Sequence, residues 1–238
     1  MLGLSIQSCK KDAPEPNPIV QDAVLKLKVN NLFHKDPLSM NIPYTLSNGS
    51  RVRFSALAYY IGKLKLKSNS GDINLPEEYL LVRPDQSTYN LGNVKAGEYS
   101  GIVFDLGLDS LTNHSDPSLY PAGHPLGFQL QSMHWGWNTG YIFLMMEGQM
   151  DLSGTGNGEF DRNFLFHLGG NLLYRPEQII NKTIVLKSGE TQTFNLNIDF
   201  SKVFQGVNLD QQNITMTFDN FQLARLLFDN FRLAIEPE

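Results

Sequence analysis

From residue 24 onward, apolar and polar positions alternate with a period of two, the signature of strands that keep one face wet and bury the other. Leu25, Leu27 and Val29 interleave with Lys26 and Lys28. Val52, Phe54 and Ala56 interleave with Arg51, Arg53 and Ser55, and Leu64 and Leu66 sit among Lys63, Lys65 and Lys67. Further strands are expected over 79–82, 99–106, 141–147, 164–168, 183–186, 194–198 and 214–218. Turn signals fall between the runs at Asn48-Gly49, Ser70-Gly71-Asp72, Ala96-Gly97 and Ser188-Gly189. The C-terminal stretch changes period. Phe221, Leu223, Ala224, Leu227, Phe228, Phe231 and Ala234 fall at helical spacing and predict a helix over 221–234. Within it, Phe218-Asp219-Asn220-Phe221 is echoed by Phe228-Asp229-Asn230-Phe231, which reads as a local duplication inside one helix. Roughly ten short strands and one late helix predict an all-β chain, a single antiparallel β-sandwich or barrel-like domain with a short C-terminal helix, over residues 23–238.

Composition agrees with this picture and narrows the function. Of 238 residues, 41% are hydrophobic and 18% charged, a globular balance. A chain of this size buries enough surface to fold without a disulfide or structural metal. The formal net charge of -5 argues against a nucleic-acid or anionic-membrane surface. Cys9 is the sole cysteine, so an internal disulfide and a Cys-based zinc site are both excluded.

Cys9 follows Leu4-Ser5-Ile6-Gln7-Ser8, an apolar approach ending in a small residue that resembles a bacterial lipobox. On this reading residues 1–8 are a truncated signal remnant. Residues 9–22 are then a lipidated cysteine and a proline-rich tether, including Ala13-Pro14-Glu15-Pro16-Asn17-Pro18. Lys10-Lys11-Asp12 resembles the Lys-then-acid signal of some surface lipoproteins. The expectation is an outer-membrane lipoprotein facing the periplasm or the exterior.

The histidines are His34, His114, His124, His134 and His167. Three of them fall between residues 114 and 134, in a long segment rich in Pro, Gly, Ser and Asp. Long loops inside a compact domain are usually functional or disordered. This one ends in Met133-His134-Trp135-Gly136-Trp137, whose two indole rings each bury a large area and call for a packed loop. In Phe164-Leu165-Phe166-His167, the strand period turns His167 away from both Phe rings. Taken alone, each histidine reads as a hydrogen-bonded structural side chain.

Other chemistry is weakly anchored. Met133, Met145 and Met146 could offer thioether sulfur but read as core. Asp151 to Gly158 has the look of a calcium loop, except that Arg162 stands where a bidentate Glu is required. Asp105 and Asp109 lack a second acid at a telling spacing for glycoside cleavage. No Gly-x-Ser-x-Gly, phosphate-loop or HExxH motif occurs, so hydrolase, nucleotide and zincin chemistry have no anchor.

The ordered motifs resemble those of the methanobactin-associated, MbnP-like copper-binding proteins, from about Val24 to the C-terminus. The resemblance is carried by Ala58-Tyr59-Tyr60-Ile61, then Gly97-Glu98-Tyr99 with Phe104-Asp105-Leu106-Gly107. Asn113-His114, Pro125-Leu126, Met133-His134-Trp135-Gly136-Trp137 and Phe166-His167-Leu168-Gly169 follow in order. It implies copper bound by two histidines, matched here by His114 and His167, with a third ligand. In the family that ligand is kynurenine made by oxidising a tryptophan. Some relatives carry the modified residue two positions before the first histidine, where this chain has Thr112. Trp135 and Trp137 are then the candidates for modification, and His134, His124 or water are alternative third ligands. A di-haem peroxidase-like partner is also implied. Together these features predict a lipid-anchored copper-binding protein for uptake, storage or handover rather than an enzyme. The alternative is a surface module that stacks Trp135, Trp137 and Tyr141 on a glycan or peptide.

Overall fold

The computed structural model describes residues 21–136 and 139–238; Cys9 and Trp137 lie outside the described residues. Strands β1 (Ala23–Phe33), β2 (Asp36–Pro37) and β3 (Tyr44–Thr45) lead into the long β4 (Arg51–Lys67). They are followed by β5 (Ile73–Asn74), β6 (Leu80–Val82), β7 (Thr88–Val94) and β8 (Gly97–Leu106). Helix α1 (Ser110–Asn113) opens the long connection, which closes at β9 (His134–Gly136). Then come β10 (Gly140–Asp151), β11 (Arg162–Gly169), β12 (Arg175–Leu186) and β13 (Thr191–Asp199). The chain ends with α2 (Phe200–Val203), β14 (Ile214–Thr215), α3 (Phe221–Leu233) and β15 (Ile235–Pro237).

The strands form two sheets. The smaller runs β15-β13-β1-β2 with β7 also on β1. The larger runs β12-β8-β4-β10-β11-β14, with β3, β5 and β6 on β4 and β9 on β10, and this order does not close into a barrel. The fold is thus sandwich-like and mostly β, as the alternation predicts. Two pairings depart from the antiparallel expectation: β1 with β13, and β11 with β14, are parallel. Alternation reports that a strand is half-buried and carries no information about the direction of its neighbour.

The core lies between the sheets and is closed by the helices. Phe33 of β1 meets Phe54 of β4 at 6.3 Å between ring centroids, and Tyr59 of β4 meets Phe231 of α3 at 5.1 Å. Helix α3 turns Leu223, Ala224, Leu227, Phe228 and Phe231 inward. The sequence echo does not lie wholly inside the helix as expected. Its first copy straddles the helix start, because Asn220 is the N-cap and its side chain accepts from the Leu223 N–H. In the second copy Asn230 instead donates to the carbonyls of Val203 and Gln205.

Two expected strands, 51–56 and 64–67, are one. β4 runs through both, and pairing with β10 shifts between Phe54 and Ala56, leaving Ser55 as an extra residue. Such a bulge reverses which side chains face the core. The inward set passes from Val52 and Phe54 to Leu57 and Tyr59, while Ala58 and Tyr60 turn to the opposite face. They are buried there as well, each at 0% exposure, because the 107–133 connection packs across that outer face. Tyr60 donates to the Pro125 carbonyl at 3.0 Å and Tyr141 donates to the Leu126 carbonyl at 2.6 Å. Leu126 and Met133 of the connection are themselves buried. The long loop is therefore an ordered cover, fastened to the sheet by two tyrosines.

Candidate functional site

Helix α1 is short, so its position depends on its ends. Asp109 caps it, accepting from the Leu111 and Thr112 N–H groups at 2.9 and 3.2 Å. The same carboxylate accepts from the Thr112 hydroxyl and pairs with the Lys63 ammonium at 2.9 Å. Burial pushes the Asp109 carboxyl up, but Lys63 and the Thr112 donors outweigh it and hold it below the usual carboxylate range. At the other end, buried Asn113 accepts from the Tyr141 N–H at 2.8 Å and donates to Asn171 at 3.1 Å. Gly140 is needed at this contact: a Cβ there would come 2.4 Å from the Asn113 carbonyl oxygen.

These contacts bring the end of α1, strand β9, the start of β10 and the end of β11 into one region. His114 follows Asn113 directly. It is exposed, and its Nδ1 lies 2.8 Å from the Ser110 carbonyl oxygen. A carbonyl only accepts, so Nδ1 carries the proton and Nε2 keeps its lone pair free. His167 lies on the outer face of β11, opposite Met145. Its Nε2 is 2.7 Å from Glu147 Oε1, and its Nδ1 is buried without a hydrogen-bond partner.

Trp135 rests on the end of the same strand. A Cβ on Gly169 would come within 3.0 Å of the indole, and Phe218 lies 6.3 Å from it. The ring is half-buried, and its Nε1 is also buried without a partner. His134 pairs across from Tyr141, their rings edge-to-face at 4.6 Å, and its Nε2 is a third unpartnered buried atom. Burial pushes the His134 imidazole below its usual range, with Asp116 opposing. His124 stands farther along the cover, stacked on Tyr120 at 4.6 Å, with its Nδ1 accepting from the Leu126 N–H. His34, beyond the end of β1, approaches the Thr45 carbonyl.

Among the described residues no group of three or more His, Cys, Asp or Glu side chains forms a metal-binding cluster. The donor set nevertheless suits copper. Free imidazole nitrogens at His114 and His167 are ligands of the kind copper takes, and a bound ion is one way in which a buried nitrogen without a protein partner is satisfied. Met133, Met145 and Met146 are at most 2% exposed; Met146 points into the core, whereas Met145 stands directly across from His167 on the outer face. The stacking alternative loses one of its rings, because Tyr141 is 1% exposed. Glu147 escapes sequence inspection. It follows the apolar run 141–146, but only the β10–β11 register shows that it shares a face with His167.

No curated protein sequence matches the chain significantly. Among solved structures, MbnP from Methylosinus trichosporium is similar, with a TM-score of 0.55 over 79% of this chain and 80% of that one, at 15% identity. That likeness supports the two-sheet fold. The MbnP family profile matches residues 22–217, from the start of β1 through β14, and on that extent this chain belongs to the MbnP family.

Proposed function

We propose that this protein binds one copper ion through His114 and His167 and serves in copper uptake, storage or handover, held to a membrane by lipid at Cys9. The observation that carries the reading is the buried, unpartnered Nδ1 of His167, on the face that Trp135 covers. Family membership supplies the copper chemistry, and imidazole donors suit both Cu(I) and Cu(II). Trp135 is the described candidate for conversion to kynurenine. Oxidation would open its indole and place new nitrogen and oxygen donors beside His167. His134, with its own free Nε2, is the alternative third ligand, and His124 is less suited because the lone pair of its neutral ring, on Nδ1, already accepts from the Leu126 N–H. A di-haem peroxidase-like partner fits the surroundings. Leu111 on α1, Leu172 beside Asn171, and Phe218 against Trp135 are 86%, 74% and 61% exposed, an apolar rim open to a docking protein.

Copper titration tests the site, using His114→Ala, His167→Ala, the double variant and His34→Ala as control. Either single loss should weaken binding at least tenfold, and the double loss should add little, since ligands of one ion act as a unit. Single variants that bind like the wild type, or an equal effect of His34→Ala, would overturn the assignment. Intact mass of the isolated protein reports separately whether a tryptophan has been oxidised.

A further inference from the structure

We propose that Glu147 is a positioning residue for the candidate copper site: its carboxylate holds His167 as the Nε2–H tautomer and turns Nδ1 toward the metal. The inference rests on the copper reading for its consequence but on independent geometry for its cause. In the β10–β11 register Met145 faces His167 and Glu147 faces Leu165, so Glu147 and His167 are diagonal neighbours on the outer face of the sheet. On the adjoining strand the small Ala56 and Ala58 stand opposite Glu147 and Met145. The two functional groups meet there at 2.7 Å, with side-chain exposures of 13% for His167 and 30% for Glu147.

An ionised carboxylate accepts hydrogen bonds and donates none, so the nitrogen facing it must carry the proton. In the neutral ring the other nitrogen, Nδ1, is then bare. It is also the nitrogen without any partner in the protein, which costs free energy unless a ligand reclaims it. A carboxylate behind a ligating imidazole also fixes the ring's rotation and raises its basicity toward a metal, and losing such a partner typically lowers metal affinity about 10–100-fold. Nothing else in the hydrogen-bonding of His167 would select one tautomer, because the Glu147 contact is the one its ring makes.

The test reads the ring nitrogens directly. In metal-free protein labelled with 15N-histidine, at about pH 8 where ordinary imidazole is neutral, His167 should show protonated Nε2 and bare Nδ1. Glu147→Gln, whose amide oxygen still accepts, should preserve that state, whereas Glu147→Leu should mix the two tautomers. Addition of Cu(I), which is diamagnetic, should shift Nδ1 of the wild type, and Glu147→Leu should bind about tenfold more weakly or worse. An unchanged tautomer in a folded Glu147→Leu variant overturns the role of Glu147, as does a Cu(I) shift on Nε2. If the tautomer responds to Glu147 but Cu(I) moves neither nitrogen, His167 is not a copper ligand; the proposed function then fails at that residue, and the orienting hydrogen bond stands without a metal to serve. Glu147→Gln guards against a variant that unfolds, since rescue by an acceptor of the same shape separates orientation from packing.

Discussion

At the scale of single residues, the region around Trp135 depends on what is missing from Gly169 as much as on what is present. A Cβ there would come 2.4 Å from the Tyr141 carbonyl oxygen as well as 3.0 Å from the indole. The nearer contact is to backbone, which cannot give way as the end of a flexible side chain can. Gly169→Ala should therefore cost about 1–3 kcal/mol, the usual penalty for forcing atoms into a packed site. Urea unfolding measures it, and a midpoint equal to that of the wild type would mean the contact is looser than described. The same scale shows what a sequence can tell about a histidine. The period of β11 places His167 on the face opposite Phe164 and Phe166, and the structure agrees: both rings are buried while His167 is partly open. Its partner Glu147 lies twenty residues away in the chain, and no local pattern announces a neighbour that only register brings close.

At the scale of elements, α1 is a four-residue helix that carries His114 and has little propensity of its own. Its cap holds it. Asp109→Ala removes the N-cap and the Lys63 pair together, and a lost cap costs about 1 kcal/mol, with about 2 as the upper end. The loss should appear as a lower melting temperature and as weaker copper binding, because His114 is no longer held. The pH dependence has a definite sign. The folded Asp109 carboxyl titrates below its ordinary value of 3.8, so its stabilisation is present above that value and fades as pH falls through the depressed one. Melting of wild type and variant should differ at pH 7 and converge in acid. A constant difference across that range would show that the charge of Asp109 contributes nothing. Most strands were legible because alternation is a local signal. β7, the two- and three-residue strands β2, β3, β5, β9 and β15, and the single-turn helices α1 and α2 were not: β7 alternates but includes Gly92 and Asn93, and the others are too short to show a period. The bulge at Ser55 likewise escapes periodicity, because a shift of one residue looks like the end of a strand.

At the scale of the whole molecule, the sheets, the cover and α3 make one body, and the proposed anchor at Cys9 precedes His114 by 105 residues of sequence. No helix among the described residues is long and apolar enough to cross a membrane, and the proposed attachment is through lipid at Cys9. Cells expressing the protein behind a complete signal peptide should incorporate a fatty-acid probe into the wild type and not into Cys9→Ser; equal labelling of both would remove the anchor. The sandwich class was readable from composition and period, since many short strands with one late helix admit few other architectures. The parallel pairing of β1 with β13 was not, and it has a consequence for the life of the chain. Val24 sits beside Thr191 and Leu32 beside Asp199, so the first strand to leave a ribosome or a secretion channel waits for the last quarter of the polypeptide before its longest pairing can form. Contacts so far apart in sequence slow folding because a very large loop must close first. In the interval β1 has β2 and β7 beside it, but the edge that β13 will take stays open to other chains, and a carrier that keeps the newly exported polypeptide from associating would have most to protect at that edge.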